Sequence, residues 1–597
     1  MHPGLSFDLL EAEIEAAHEI GVKTPVYLSA GFDEKTARRH PEWLRRPTPD
    51  DKIDWVTPQF HELCMNTPYL DYLLAQVEEV VQRYDCDGIF LDIVGVRTCY
   101  CQHCVKTLLD EGKDPYDEKN AAELGERVYL NYTRRVRQAI DKYKPGIPVF
   151  HNGGHIRKDK RVLAHCDSHL ELESLPTGGW GYDHFPLSAA YARTLGMDFL
   201  GMTGKFHTTW GEFGGFKHPN ALRYEEALCV ANGAKCSIGD QMHPDGHMDM
   251  TTYSMIGKAY SEIEEREPWL TQVESVADIA LLSQEAVMNY FDDDAARTCT
   301  YFRGDVGAVR ILLEGHFLFD VVDTQEHLDN YKLVIMPDSV ELDDKLTAKL
   351  KDFIAKGGKV LASGKSGLKR GTNEFALDLG CTYKGECEYS PVYFKYPGKK
   401  DGDGFTSYVI YSKSYDVEAK PNAAVTYERE NPYFNRKTFS FCSHQHAPND
   451  KSAQFAGVTV GEDGAYISTE IFENYEQVGS YISKEIVINT INLLLDKKTL
   501  FTNLPAQGVV SLMDQTKVHR YVNHLLYASP VCRGWQIQII EDIIPIHDTF
   551  VELRIDKQPK RVYLAPEMKD LDYTYEDGVL TYTIDKFENH AMVVIDY

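Results

Sequence analysis

A chain of 597 residues is too long for one hydrophobic core, and at roughly 100–200 residues per domain it divides into three or four. Acidic residues outnumber basic ones, 91 to 63, for a formal net charge of −28; such a surface repels phosphate backbones and anionic lipid, which excludes nucleic acid and membrane as expected partners. The opening residues MHPGLSFDLLEAEIEAAHEIG lack a basic n-region and a continuous apolar h-region, and no stretch reaches membrane-spanning length, so a cytoplasmic enzyme is expected.

From the start to residue 272 the pattern alternates between amphipathic helices and short apolar strands that end on polar or acidic residues, the signature of a (β/α) barrel. Strands are expected at 22–30, 87–93, 147–153, 168–174, 197–207 and 234–240. Helices fall between them, among them 74–84 and 125–143, whose apolar residues recur at three- and four-residue spacing. A closed barrel of this class has eight strands, whereas this chain shows six and opens on the helix FDLLEAEIEAAHEI. The expected fold is therefore α/β, a TIM-type barrel lacking its first two strands. The strand around Thr24–Ser29 and the strand around Cys236–Asp240 should then both be edges.

Residues 273–500 run strand, helix, strand, helix, strand, through YKLVIMPDS, LTAKLKDFIAKGG and KVLASG, which reads as a flavodoxin-like, glutamine-amidotransferase-like α/β domain. Its strand ends carry no paired acids, so its role is structural. Residues 501–597 supply short alternating strands such as TFVELRI and HAMVVIDY, the pattern of a β-sandwich.

Reacting groups in such barrels sit at the carboxyl ends of strands, where four acids stand out: Asp92, Glu173, Glu212 and Asp240. Asp92 closes the apolar run GIFLD and is the candidate nucleophile; its plain alternative is a cap on a solvated strand end. Glu173 ends LELES before the aromatic loop LPTGGWGYDHF, where lost hydration would keep a carboxyl protonated as a general acid. Because Glu171 and Glu173 alternate with leucines, either can instead face solvent or a helix. Glu212, in FHTTWGEFGGFKH, is the rival acid. Two carboxylates across a cleft suffice for glycosidic cleavage, one attacking the anomeric carbon and one protonating the leaving oxygen, with no catalytic cofactor. Candidate substrate contacts are His151 and Asn152 on the third strand, Trp180, Tyr182 and His184 in the aromatic loop, His207 and Trp210 near Glu212, and Asp240, Gln241 and His243 after the sixth strand.

Of thirteen cysteines, Cys99, Cys101 and Cys104 form CxCxxC, and Cys64 lies upstream in HELCMNT. Four thiolates enclose a tetrahedral zinc with no open position, a structural site. Buried free thiols are the alternative reading, and His103 the alternative fourth ligand.

The motifs MHPGL, HPEW, DGIFLDI, CYCQHC, ESLPTGGWGYDHFP, WGEFGG, GDQMHPDG and REPW resemble the α-L-fucosidase-like barrel group of hypothetical glycosyl hydrolases. Residues from about 275 to 500 look like the trimerisation domain of β-galactosidases. The resemblance implies a nucleophile on the fourth barrel strand, which maps onto Asp92, and a zinc-bound cluster matching CxCxxC and Cys64. It also implies two strands ahead of the segment matching MHPGL, and self-association as a trimer or dimer. The expected activity is exo-acting, retaining hydrolysis of an α-L-fucoside in an oligosaccharide or glycoside. A β-galactosidase is the alternative enzyme, and a carbohydrate-binding or scaffold protein on a decayed barrel is the alternative of another class.

Overall fold

The computed structural model describes residues 4–288, 302–395 and 407–597, with the first three residues of MHPGL outside that range. The chain forms two compact units. One contains the residues up to Leu172 and Met197–Phe199; the other contains Glu173–Gly196, Leu200–Met288 and Phe302–Tyr597.

In the first unit, strands β1 (Pro25–Ser29), β2 (Gly88–Asp92) and β3 (Val149–Asn152) pair in parallel in the order β1-β2-β3. The register sets Ser29, Asp92 and Asn152 in one row at the carboxyl ends. The helices are α1 (Leu9–Glu19), α2 (Glu34–Arg39), α3 (Tyr69–Arg83), α4 (Gln102–Asp110), α5 (Glu118–Asp141) and α6 (Arg161–Ala164). Leu70, Leu73, Leu74, Val77, Val80 and Val81 place one apolar stripe on α3, and all six are buried. Asp117 caps α5 by accepting from the amides of Lys119 and Asn120. Val77, Val136 and Ile140 then close over Ile89, Leu91 and Val149 in one core. Strand β4 (Leu170–Glu173) ends where the second unit begins.

In the second unit α7 (His184–Ala192), β5 (Phe199–Gly204) from its second residue on, α8 (Pro219–Ala231), β6 (Lys235–Gly239) and α9 (Met250–Glu264) continue the alternation. Strand β6 pairs in parallel with β5 from Leu200–Lys235 to Gly204–Gly239. All six expected strands form, in two three-stranded sheets ordered β1-β2-β3 and β4-β5-β6, so that β3 and β4 are edges as well as β1 and β6.

The next region departs from a purely parallel sheet. Its core has the spatial order Phe319–Val322, Ile279–Leu282, Leu333–Met336, Lys359–Ser363 and Gly464–Ile467, all parallel. Antiparallel strands Asn449–Val460, Ala424–Pro432, Val392–Lys395 and Ser407–Ile410 extend it to nine. The parallel strands are buried on both faces and read as continuous apolar runs. The extension carries stretches such as AVTYERE, whose polar residues, the buried Arg429 and Glu430 among them, escape a search for apolar strands. The last region packs a four-stranded sheet containing Ile546–Arg554 and Val579–Phe587 on a six-stranded sheet containing Arg520–Tyr527 and His590–Asp596. Val551, Leu553, Leu580, Ile584, Leu525, Val593 and Ile595 form the apolar layer between them.

Candidate active site

Asp92 ends β2 with its carboxylate held by two donors. The Tyr27 hydroxyl donates to Oδ2 at 2.6 Å, and Asn152 Nδ2 donates to Oδ1 at 2.9 Å. Tyr27 lies on β1 two residues before Ser29, the register partner of Asp92, so its long side chain reaches up the sheet face. Partial loss of hydration, and then the adjacent Asp92 carboxylate, push the Tyr27 phenol above its ordinary value, which keeps it a proton donor. Asn152 is itself fixed, since its Oδ1 accepts from the Gly154 amide at 3.0 Å. Tyr27, which holds the candidate nucleophile, was not singled out in the sequence, although the alternation in PVYLS puts it on the face of Ser29.

The same alternation corrects the expectation for His151. Next to Asn152 on β3, it turns to the opposite face, 3% exposed, with Nδ1 at 2.9 Å from the Tyr132 hydroxyl of α5. Its Nε2 has no partner among the described residues. Burial, with Arg137 adding, lowers its pKa to about 3. A neutral imidazole packed against a helix is part of the core, not a sugar contact.

On β4, Glu171 is engaged by His169 at 2.8 Å. Glu173, two residues on, shares the half-buried side of the strand. Beyond it, the Trp180 and His184 rings meet at 4.9 Å, and His184 Nδ1 lies 3.2 Å from Ser174 Oγ. The Tyr182 hydroxyl donates to Glu225 at 3.2 Å. Glu225 also accepts from Thr203 at 2.6 Å and from the buried Lys217 at 2.5 Å, a network at the end of β5 that no motif announces.

Glu212 is committed to its own loop. Oε1 accepts from the amides of His207 and Thr208, both at 2.5 Å, and Oε2 from the Thr208 hydroxyl at 2.8 Å. Burial raises its pKa, but the Thr208 amide and hydroxyl and the His207 amide outweigh it and hold the carboxyl below the usual range. A carboxylate kept ionised by amides is suited to shaping a loop rather than donating a proton.

The Trp210 ring lies over the ends of β5 and β6, where Cβ atoms on Gly204 and Gly239 would stand 2.9 and 2.6 Å from it. Only glycine leaves that space. Its Nε1 is buried with no partner among the described residues. Nearby, Lys205, Phe213, Phe216, Asp240, Gln241, His243 and Tyr253 line an open pocket of about 320 Å³. Lys205 Nζ stands 3.8 Å from Asp240 and 4.3 Å from the Phe216 ring centroid. Lys205 is a second residue the sequence reading missed, hidden because GKFH gives no sign that its lysine is buried.

The four cysteines converge. Ligand atoms of Cys64, Cys99, Cys101 and Cys104 all lie within 4.8 Å of one another, all buried, and the Cys64 and Cys104 sulfurs are 3.6 Å apart. A tetrahedron with Zn–S near 2.3 Å has edges of about 3.8 Å, so the set fits such an ion. Amides of Arg46, Asn66 and Cys101 point at the sulfurs of Cys99 and Cys64 at 3.4–3.5 Å, the surroundings a thiolate needs. Cys64 takes the fourth corner; His103 is not in the group.

No helix among the described residues is long and apolar enough to cross a membrane. The family model described as "Hypothetical glycosyl hydrolase 6" matches residues 1–93, and the one described as "Beta-galactosidase trimerisation domain" matches residues 310–382. No curated protein matches the chain. A GH42 β-galactosidase from G. stearothermophilus, in a catalytic-mutant form, is similar in fold at 13% identity, with TM-score 0.69 and coverage of 98% of this chain and 90% of that one. A β-galactosidase from Bacillus circulans sp. alkalophilus is similar in fold at 14% identity, with TM-score 0.69 and coverage of 100% and 93%. These neighbours are TIM-barrel glycosidases with a β-rich carboxyl-terminal region. α-L-Fucosidase isoenzyme 2 from Paenibacillus thiaminolyticus is 50% identical over 100% of this chain and 91% of that one, with TM-score 0.95. Identity at half of all positions along the full length makes this chain a glycosidase of the same glycoside hydrolase family as that enzyme.

Proposed function

We propose that the chain is an exo-acting, retaining α-L-fucosidase with Asp92 as nucleophile and Glu173 as acid/base. The observation that carries this reading is the cradle of Asp92: an oriented carboxylate at a strand end, between Tyr27 and Asn152, in a chain whose full-length relative is named an α-L-fucosidase. In the first step an Asp92 oxygen attacks the anomeric carbon as the bond to the leaving oxygen breaks. Glu173 delivers its proton to that oxygen, leaving a glycosyl ester on Asp92. In the second step Glu173 takes a proton from water, whose oxygen attacks the same carbon and releases Asp92. Two inversions return the starting configuration. Glu212 is set aside as acid because the amides of His207 and Thr208 hold its carboxyl ionised.

Sugar hydroxyls are assigned to Asn152, Trp180, Tyr182, His184, His207, Trp210, Asp240, Gln241 and His243. The domains are a barrel over 1–272, a flavodoxin-like module over 273–500 and a β-sandwich over 501–597. The middle module is the proposed surface for a homo-oligomer, supported by the trimerisation-domain match. Zinc is the proposed ion for the four cysteines, with a structural role, since four thiolates leave no open position. A cytoplasmic location is in keeping with the free thiols.

The test compares aryl α-L-fucoside with aryl β-D-galactoside and follows the first-formed anomer by NMR. Preference for the fucoside with α-fucose as first product is expected; preference for the galactoside, or an inverted product, overturns the reading. Asp92→Gly should abolish turnover, with azide partly restoring it by taking the carboxylate's place at the anomeric carbon.

A further inference from the structure

The residue after Asp92 holds an unusual backbone conformation. Ile93 lies at φ 61°, a region that β-branched residues avoid because Cβ crowds the carbonyl oxygen. Such a conformation persists only where the surroundings over-determine it. Here the surroundings are three glycines from three separate elements. A Cβ on Gly31, just past β1, would lie 1.9 Å from the Ile93 carbonyl oxygen; one on Gly153, just past β3, 2.8 Å from the Val94 oxygen; and one on Gly125, within α5, 2.5 Å from the Arg97 oxygen. None of the three has positive φ, so each is glycine for closeness of approach and not for its own backbone angle. The far end of the segment, Cys99, belongs to the cysteine cluster. The near end is tied by the Ala30 and Gly31 amides to the Asp92 carbonyl at 3.0 and 3.1 Å, and by the Val94 amide to the Asn152 carbonyl at 3.1 Å.

We propose that Gly31 and Gly125 are positioning residues for Asp92: they let the backbone of residues 93–99 seat against β1 and α5, and that seating, anchored at Cys99, aims the carboxylate between Tyr27 and Asn152. This rests on Asp92 being the attacking group. A methyl at either glycine pushes a carbonyl aside, the segment shifts, and Asp92 moves with its chain neighbour while the sugar contacts elsewhere stay. A displacement on the scale of an ångström costs up to about a hundredfold in the chemical step.

The experiment is a double-mutant cycle. Gly31→Ala and Gly125→Ala are made in the full chain and again in the Asp92→Gly background, with kcat and KM on aryl α-L-fucoside measured without and with azide. In the native background kcat falls about ten- to a hundredfold while KM stays within about twofold, the pattern of a lost transition-state interaction. In azide-rescued Asp92→Gly the same alanines cost nothing, because the carboxylate they displaced is gone. Folded variants with unaltered kcat, or an equal loss in both backgrounds, overturn the proposal. Full turnover by Asp92→Gly overturns the nucleophile reading itself, and is told apart by needing no alanine variant.

Where the alanine variants do not fold, amide hydrogen exchange on the unmodified chain decides. Stripping the metal with a chelator, with metal content counted, should speed exchange over residues 93–99, including the Val94 amide. Unchanged exchange after metal loss overturns the anchoring by Cys99.

Discussion

The Tyr27 hydroxyl and the Asp92 carboxylate meet at 2.6 Å across two paired strands, so the nucleophile candidate is oriented by a donor from the strand next to its own. Removing that donor should affect the reaction more than the fold, since Tyr27 is 56% exposed. Tyr27→Phe keeps the ring and its stacking on Phe90, 5.8 Å away, and deletes one charge-assisted hydrogen bond of about 1.5 kcal/mol, taken at the low end for an exposed site. The expected loss is about tenfold in kcat. Wild-type kcat in Tyr27→Phe counts against the cradle.

Glu173 and Glu212 separate by leaving-group dependence. Glu173→Ala should slow hydrolysis of fucosides with poor leaving groups far more than of dinitrophenyl fucoside, which departs without protonation. Glu212→Ala should show no such dependence. It should instead destabilise, because the amides of His207 and Thr208 lose their acceptor, at about 1 kcal/mol for a partly solvated group. A leaving-group slope that steepens in Glu212→Ala and not in Glu173→Ala reverses the assignment.

The cysteine centre makes a quantitative demand on metal content. One zinc per chain is expected by atomic emission, and Cys64→Ser should lower both that content and the melting temperature, because Cys64 lies outside the CxCxxC turn and joins its loop to α4. A metal-free chain that melts at the wild-type temperature leaves the four thiols as ordinary core.

How much of this was legible depends on whether the signal was local. GIFLD announces a strand ending on a carboxylate, and CxCxxC announces a ligand set, because both are written in adjacent residues. Cys64, far upstream of that motif, is a candidate by residue type with His103 the alternative, and only the fold brings it to the cluster. Tyr27 was within reach of the two-residue period, but the side of β3 on which His151 falls depends on which face meets α5. The amides that occupy Glu212 come from a loop closing on itself, which no periodicity encodes. Gly31 and Gly125 were illegible because their meaning is a distance to another segment. The antiparallel extension of the nine-stranded sheet was illegible because its strand 424–432 buries charged residues, Arg429 and Glu430, where a core strand is expected to be apolar.

Acid stability should depend on a histidine pair in the carboxyl-terminal sheet. His524 and His590, on neighbouring strands, stack with ring centroids 5.2 Å apart and share one hydrogen bond between His524 Nδ1 and His590 Nε2 at 2.9 Å. Both are buried. Burial lowers the His524 pKa to about 3, with Arg266 adding, and burial, His524 and Arg266 lower His590 well below its ordinary value. In the unfolded chain both return to about 6.5. The unfolded state therefore binds more protons, so the pair's contribution is fully present above about pH 6.5 and is lost as pH falls from there toward the folded values. Between pH 6.5 and 5.5 two such histidines remove about 2 kcal/mol, from 1.36 kcal/mol per pKa unit and partial titration at the upper limit. Other buried groups titrate too, so the reference is a double variant, His524→Gln with His590→Gln, whose amides can still hydrogen-bond to each other but do not ionise. Urea unfolding at the two pH values should show the wild type losing about 2 kcal/mol more than the double variant over this interval. Parallel losses in the two proteins mean that the histidine pair accepts protons in the folded state and carries no acid sensitivity.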